Sequence, residues 1–296
     1  MTYPIIPAGY GLKPVNLVGG QVFAGSTRSL PIPYGYATNI GVGDFVQLTR
    51  GFVNRLTVTS GSASTFPIGV FLGCSYTDPV TKQKRFSQYW PASTLAGDAV
   101  AVVTDDPDTV FKAVALSSLS NTTVASLASC MVGQNAALYD NGMSLATGDS
   151  LGGIASPTAT AALTSTLPVR IVGLVAETSY ALAYAGSSSS TTTLTLGTAL
   201  TASSSGLIPL IGCEVGYIAA NGQYIGTGSF VVGGSGGAGT AVSAGMTTLT
   251  LNQQPTILGS SANIPASSTV VLTTYQEALL KLNFGQHAYY AGLGVA

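Results

Sequence analysis

The chain has 296 residues, of which only 7% are charged; ten Lys/Arg against eleven Asp/Glu leave a formal charge of −1. That near-neutral balance lacks the basic footprint from which nucleic-acid affinity comes, and 46% hydrophobic residues argue against intrinsic disorder. So little charge suits a protein held within an assembly, or one that is secreted.

Met1–Tyr10 (MTYPIIPAGY) shows neither the basic start nor the apolar core of a signal peptide. No stretch reaches the roughly 20 apolar residues of a membrane helix. Cys74, Cys130 and Cys213 are far apart and odd in number, with no CxxC and with His287 as the sole histidine. They read as buried small hydrophobes rather than as a disulfide framework or a zinc site, and no cofactor is expected.

In chain order, residues 1–40 carry Pro4, Pro7, Pro14, Pro31 and Pro33 with Tyr3, Tyr10, Phe23, Tyr34 and Tyr36. Proline forces extended geometry and removes ladder donors, so this segment reads as an extended arm lying across other chains. Strands are predicted at 44–48, 56–58, 68–73 and 100–103, with 110–114 as a hairpin or crossover partner of the last. Leu116, Leu119, Val124, Leu127 and Cys130 recur at helical spacing and predict a helix over 116–130. Asn141-Gly142 and Asn221-Gly222 are hairpin turns, the first joining 136–139 to 144–146. A further strand is predicted at 169–175. Gly186–Thr193 (GSSSSTTT) then reads as a flexible linker. Beyond it come strand-like segments at 194–196, 213–218, 224–232, 248–251 and 270–273, and Glu214 is the only charge between Gly186 and Val271. Residues 279–284 look like a strand closing a sheet opened much earlier.

The expected fold is therefore mainly β: a small twisted barrel- or sandwich-like domain with an extended N-terminal arm and an inserted second β domain. The divisions are 1–40 for the arm, 41–185 plus 276–296 for the first β domain, and 186–275 for the insertion. Gly186 and Gln276 should then lie close together.

Several motifs match chemistry by letter only. Gly234-Ser235-Gly236-Gly237-Ala238-Gly239 spells GxGxxG, but β-like residues follow it and no acid occurs until Glu277. Gly233–Gly237 spells GxSxG, and Ser235, Glu277 and His287 copy a hydrolase triad in order. A floppy glycine run cannot supply the rigid elbow that such a nucleophile needs. Gly148-Asp149-Ser150-Leu151 matches the nucleophile block of GDSL esterases, but Phe284 stands where the partner Asp-x-x-His needs its acid. Asp105, Asp106 and Asp108 flank Pro107 and read as turn chemistry; Ca²⁺ is the alternative. Lys82, Lys84 and Arg85, beside Tyr89 and Trp90, read as an inter-subunit contact. Asn121-Thr122-Thr123 is a sequon, relevant only to a secreted chain. None of these gives an enzyme.

Gly11-Leu12-Lys13-Pro14-Val15, Gly19-Gly20, Pro31-Ile32 and Gly35–Ile40 resemble the start of virion structural proteins of tailed phages. Gly43-Asp44-Phe45-Val46, Ile68–Gly73, Tyr76-Thr77-Asp78, Tyr89-Trp90-Pro91 and Val103–Pro107 extend the likeness to capsid cement or head-decoration proteins. It covers about 10–185 and 276–290, not 186–275. The resemblance implies a cap on the outer capsid surface of the virion. The partner would be the major capsid protein, the chain a homotrimer, with neither nucleic acid nor membrane bound. Phe23, Tyr34, Tyr36, Lys82, Lys84, Arg85 and Trp90 are the expected capsid or subunit contacts, and the insertion is where a host-surface glycan would touch. The alternatives are a tail, baseplate or fibre protein, or an outward-facing carbohydrate-binding β module.

Overall fold

In a computed structural model, residues 6, 8–17, 23, 25–57, 67–118, 121–155, 167–200, 210–257 and 259–283 are described. Tyr3, Phe284 and His287 lie outside them. The protein is mainly β, with 50% strand and 3% helix. It divides into two compact units. The barrel unit holds Leu174–Glu277 with Val124–Val132 and Ile6; the sheet unit holds the described residues of 7–123, 133–173 and 278–283.

The sheet unit begins with β1 (Lys13–Leu17), β2 (Arg28–Pro31), β3 (Phe45–Thr49) and β4 (Phe52–Arg55). It continues through β5 (Gly69–Thr77), β6 (Lys84–Ser87), β7 (Val100–Thr104) and β8 (Thr109–Ser118). After β9 (Asn121–Val124) come β10 (Asn135–Ala136), β11 (Leu138–Tyr139), β12 (Gly153–Ala155) and β13 (Val169–Leu174). One sheet runs β2-β7-β5-β3-β4, with β6 added to β5. Its inner face packs Ile32, Ile40, Val46, Val53, Phe71, Tyr76, Trp90 and Val103 into one core. Alternation in β7 shows why: Ala101 and Val103 point inward while Val100 and Val102 stay half-buried on the other face.

The described residues from 8 to 40, most of the segment read as an arm, belong to this unit. β1 pairs antiparallel with β8 and β2 with β7. Leu12 and Ile32 are buried, and the Leu12 amide donates to Gly43 O at 3.0 Å. The prolines do enforce extended backbone, but at sheet edges, where a missing donor costs nothing. The second strand predicted from 56–58 is instead β4, paired with β3 around Arg50 and Gly51. The segment 110–114 lies in β8, which does not pair with β7.

The predicted helix over 116–130 is also overturned. Leu116 sits in β8, the β-branched Thr122-Thr123-Val124 stretch lies in β9, and only Ser129–Met131 makes a single 3-10 turn. Leu127, Ala128 and Met131 are buried because Val124–Val132 runs through the barrel unit as a strap, bridging Leu127 to Tyr275. Asn141-Gly142 does turn the chain, but β11 pairs with β12 rather than with 144–146. Gly142 N donates to Asp140 Oδ1 at 3.0 Å.

The barrel consists of β14 (Tyr180–Ser190), β15 (Thr193–Thr195), β16 (Glu214–Ile218), β17 (Tyr224–Gly233), β18 (Thr248–Leu251) and, past the small hairpin of β19 (Thr256–Ile257) and β20 (Ser260–Ser261), β21 (Ser268–Thr274). It closes in the order β14-β15-β18-β17-β16-β21. Leu194, Val215, Tyr217, Val231, Leu249, Val270 and Leu272 fill its interior. Asn221-Gly222 forms the β16–β17 turn, with Gly222 at φ 80° and Asn221 Oδ1 accepting the Gln223 amide at 3.0 Å.

The Ser/Thr-rich stretch read as a linker is barrel wall. Ser187 and Ser189 are buried, and their hydroxyls are satisfied: Ser187 Oγ donates to Tyr184 O at 2.8 Å, and Ser189 Oγ accepts the Ile264 amide at 2.7 Å. A hydroxyl that finds such partners is compatible with a strand interior. The unit accordingly starts at Leu174, not at 186. Gly186 stands beside Ser187, opposite Ser268, while the segment ends that meet are Val175 and Glu277, joined by an amide-to-carbonyl hydrogen bond of 3.1 Å. The chain then returns to the sheet unit as β22 (Glu277–Leu282), which lies between β13 and β8. Leu280 and Leu282 are buried, with Leu279 and Lys281 alternating between them.

Candidate interaction surface

The β5–β6 hairpin is built by Asp78. Its Oδ1 accepts the Val80 and Thr81 amides at 2.8 and 3.2 Å, and its carbonyl accepts the Lys82 amide at 2.9 Å. Lys82 closes the turn at φ 59°. The carboxylate also takes Arg85 Nη1 at 2.9 Å, and Lys84 Nζ reaches Asp98 Oδ2 at 2.9 Å. The backbone amides of Val80 and Thr81 hold Asp78 below the usual carboxylate range, and Lys84 does the same for Asp98. Of the three cations predicted to face a partner, Lys84 and Arg85 are thus engaged within the chain, at exposed sites where such pairs contribute little. Lys82 is exposed.

What the hairpin presents is apolar. Val80 is 85% and Phe86 86% exposed. Phe86 pairs with Ser75 while its neighbour Arg85 pairs with Tyr76, so Phe86 points away from the core that Tyr76 enters. Tyr34, 67% exposed, and Leu95, 55% exposed, join them in the same unit. They are held side by side by the Gly35 amide, which donates to Thr94 O at 3.2 Å. Val80 and Leu95 were not picked out from sequence. The Asp78-Pro79 turn signal next to Val80 could have marked the first; nothing comparable marks Leu95.

The remaining predicted contacts lie elsewhere. Trp90 is fully buried, stacked edge-on against Tyr76 at 5.4 Å, with its Nε1 donating to Tyr36 O at 3.3 Å. Its backbone forms a two-way bridge with Ile40, which turns the indole inward. Tyr36 packs against the same core, and its hydroxyl accepts the Arg55 amide at 2.9 Å. Trp90 is therefore corrected from contact to core, while Tyr36 is half-buried against it. Phe23 is half-buried. Cys74 and Cys213 are buried, and burial pushes both thiols up to about 12; Cys130 is exposed, contrary to expectation.

A second polar feature underlies this unit. Arg55, at the end of β4, lies between Asp44 and Asp140, both almost fully enclosed. Its Nη2 donates to Asp140 Oδ1, and its Nε stands 3.1 Å from Asp44 Oδ2, an ion-pair distance without hydrogen-bond alignment. Asp44 Oδ2 also accepts the Gly41 amide at 2.8 Å. Ser150, the residue of the GDSL-like block, is buried here; it hydrogen-bonds to Asp44 and accepts the Gly152 amide at 3.0 Å. Two carboxylates share one guanidinium. Burial outweighs that guanidinium's pull, and the Asp44 carboxyl is pushed up to about 6 from 3.8.

The sign of the resulting pH dependence follows. Between about pH 4 and 6 the folded state holds a proton that the unfolded chain has released, so this group's contribution to stability falls as pH rises. Over the full window the loss approaches about 3 kcal/mol. Urea unfolding followed through the single tryptophan at several pH values should show this slope in wild type but not in Asp44→Asn. Parallel curves for the two proteins would disprove it.

The residues of the other motifs make contacts within the chain or stand exposed. Asp106 Oδ1 accepts the Asp108 amide at 2.8 Å, Asp105 pairs with Arg28 at 3.1 Å, and Asp108 pairs with Lys281 at 2.8 Å. The glycine run closes into a turn through Gly239 N to Val232 O, 2.9 Å, leaving Ser235 exposed while Glu277 is buried. Among the described residues no three His, Cys, Asp or Glu side chains are grouped to hold a metal, and no helix is long and apolar enough to cross a membrane. Comparison with family models, with curated proteins and with solved structures finds no match.

Proposed function

We propose that this chain is a structural protein of a tailed-phage particle. It sits on the outer capsid surface and strengthens contacts between major capsid subunits, as a homotrimer. The observation that carries this reading is the exposed set Val80, Phe86, Tyr34 and Leu95 on a unit whose own core is already filled. Covering a large apolar side chain contributes roughly 1.5–3 kcal/mol, and a cap that joins subunits needs such anchors outside its own core. Lys82, with the exposed flanks of Lys84 and Arg85, gives the hairpin pair Val80 and Phe86 polar neighbours along the chain. The likeness of 10–185 to cement and decoration proteins points the same way.

The test is co-sedimentation of the purified chain with capsids of its source that lack it. Val80→Asp/Phe86→Asp should weaken binding at least tenfold while leaving the melting temperature within a few degrees. Unchanged binding would remove this surface from the interface. Immunogold label on the tail instead of the head would replace capsid decoration by a tail or baseplate role.

A further inference from the structure

The barrel carries an aromatic platform of its own. Tyr224 follows the Asn221-Gly222 turn and pairs with Ile218, which places it diagonally from Gly216 on the outer face of β16 and β17. A Cβ on Gly216 would fall 2.4 Å from Tyr224 Oη and 2.5 Å from Cε2 and Cζ, so the ring occupies the space that the missing side chain leaves. The residue is nevertheless 47% exposed. The ring is fixed against the sheet and still open to solvent.

Beside it stands Glu214, two residues before Gly216 and therefore on the same face of β16. Glu214 Oε2 accepts the Ser129 amide at 3.1 Å and its hydroxyl, which orients the carboxylate. Among the described residues no hydrogen bond reaches Oε1, which lies 3.6 Å from where a Gly226 Cβ would stand, over the bare glycine backbone. Thr273, opposite Glu214 on β21, offers a hydroxyl to the Tyr224 phenol. Burial first, and the Glu214 charge second, raise that phenol, as their proximity requires. Glu177, Glu214 and Glu277 are the only charged residues from 174 to 277, so the described residues of the barrel unit include no Lys or Arg.

From this arrangement we infer that Tyr224 and Glu214 form a binding site for a neutral sugar ring. The C–H face of a pyranose stacks on the tyrosine, as apolar surface does on an aromatic ring held rigid. Its hydroxyls donate to the free carboxylate oxygen, a charge-assisted hydrogen bond stronger than a neutral one. Gly226, with no side chain between Tyr224 and Glu214, leaves the floor low enough for the sugar ring to approach. Sialylated, uronic or phosphorylated glycans, and nucleic acids, meet an acidic face without a counter-charge and are rejected. The inference rests on the barrel alone and stands apart from capsid attachment.

The experiment is binding of the full chain to a printed panel of neutral, sialylated and phosphorylated oligosaccharides, with saturation-transfer NMR on the sugars retained. Retention of a neutral oligosaccharide is expected, falling at least tenfold in Tyr224→Leu, which still covers Gly216 but has no ring. Tyr224→Phe should bind within about threefold of wild type, and Glu214→Gln should weaken binding less than Tyr224→Leu. Each variant is compared at equal melting temperature and for capsid co-sedimentation, which should not change. Retention of no neutral sugar, preference for anionic glycans, or wild-type binding by Tyr224→Leu would overturn the inference.

Discussion

Replacing Arg55 by methionine is expected to destabilise the sheet unit by about 3–5 kcal/mol. The guanidinium is nearly enclosed and is the shared counter-charge of Asp44 and Asp140. Removing it leaves two carboxylates out of water with a hydroxyl and two backbone amides as compensation. Asp44→Asn in the same background should return part of the loss. The triple variant Asp44→Asn/Arg55→Met/Asp140→Asn should return most of it, because a buried ion cluster is costly chiefly when half dismantled. Urea unfolding through tryptophan fluorescence measures all of these, since Trp90 is the single tryptophan and lies in this unit. A loss below 1 kcal/mol for Arg55→Met would mean that water reaches the cluster.

Trp90→Ala should cost a similar amount, about 3–5 kcal/mol, by opening a cavity where the largest fully buried side chain stands. It also separates two roles for the residue. An interface tryptophan would lose partner binding while the isolated protein stayed intact. Here the isolated chain itself should lose hydrogen-exchange protection in β5 and β7 while the barrel strands keep theirs. Loss of capsid binding with β5 and β7 still protected would restore Trp90 to the surface.

How much of this was legible in the sequence depends on what each residue type can hide. Strands such as Val100–Thr104 and Val169–Leu174 announce themselves through β-branched runs, and Asn221-Gly222 fixes its hairpin because the turn needs a residue at positive φ. Serine is ambiguous. Ser187 and Ser189 look like linker until the backbone partners that accept or supply their hydrogen bonds are known, and those partners include Ile264, 75 residues away from Ser189. The spacing of Leu116, Val124 and Leu127 mimics a helix because three separate segments happen to place their buried residues three to eight apart, while Thr122 and Thr123 argue locally for β. Trp90 misled for the converse reason: its exposed neighbours in sequence are not its neighbours in space.

The candidate surface was half legible. The hairpin was marked by its cations, but Lys84 and Arg85 turn out to fasten the turn, and the apolar tips Val80 and Phe86 carry the exposure. Glu214 stood out as a lone charge in a neutral stretch. Its pairing with Tyr224 needed the register of β16 against β17.

The position of β22 has a consequence for biogenesis. This strand lies between β13 and β8, and its Lys281 reaches back 173 positions to Asp108 while Asn283 reaches 148 back to Asn135. As the chain leaves the ribosome, β8 and β13 emerge long before the segment that must separate them, and the whole barrel is translated in between. The barrel strands β14–β21 pair only with one another and can close as a group, whereas the earlier sheet waits with a strand-wide gap. A nascent chain halted after Glu277 should present a folded barrel attached to an incomplete sheet whose two unpaired edges invite premature association. Late closure of that gap by β22 would make this strand the step that completes the sheet unit.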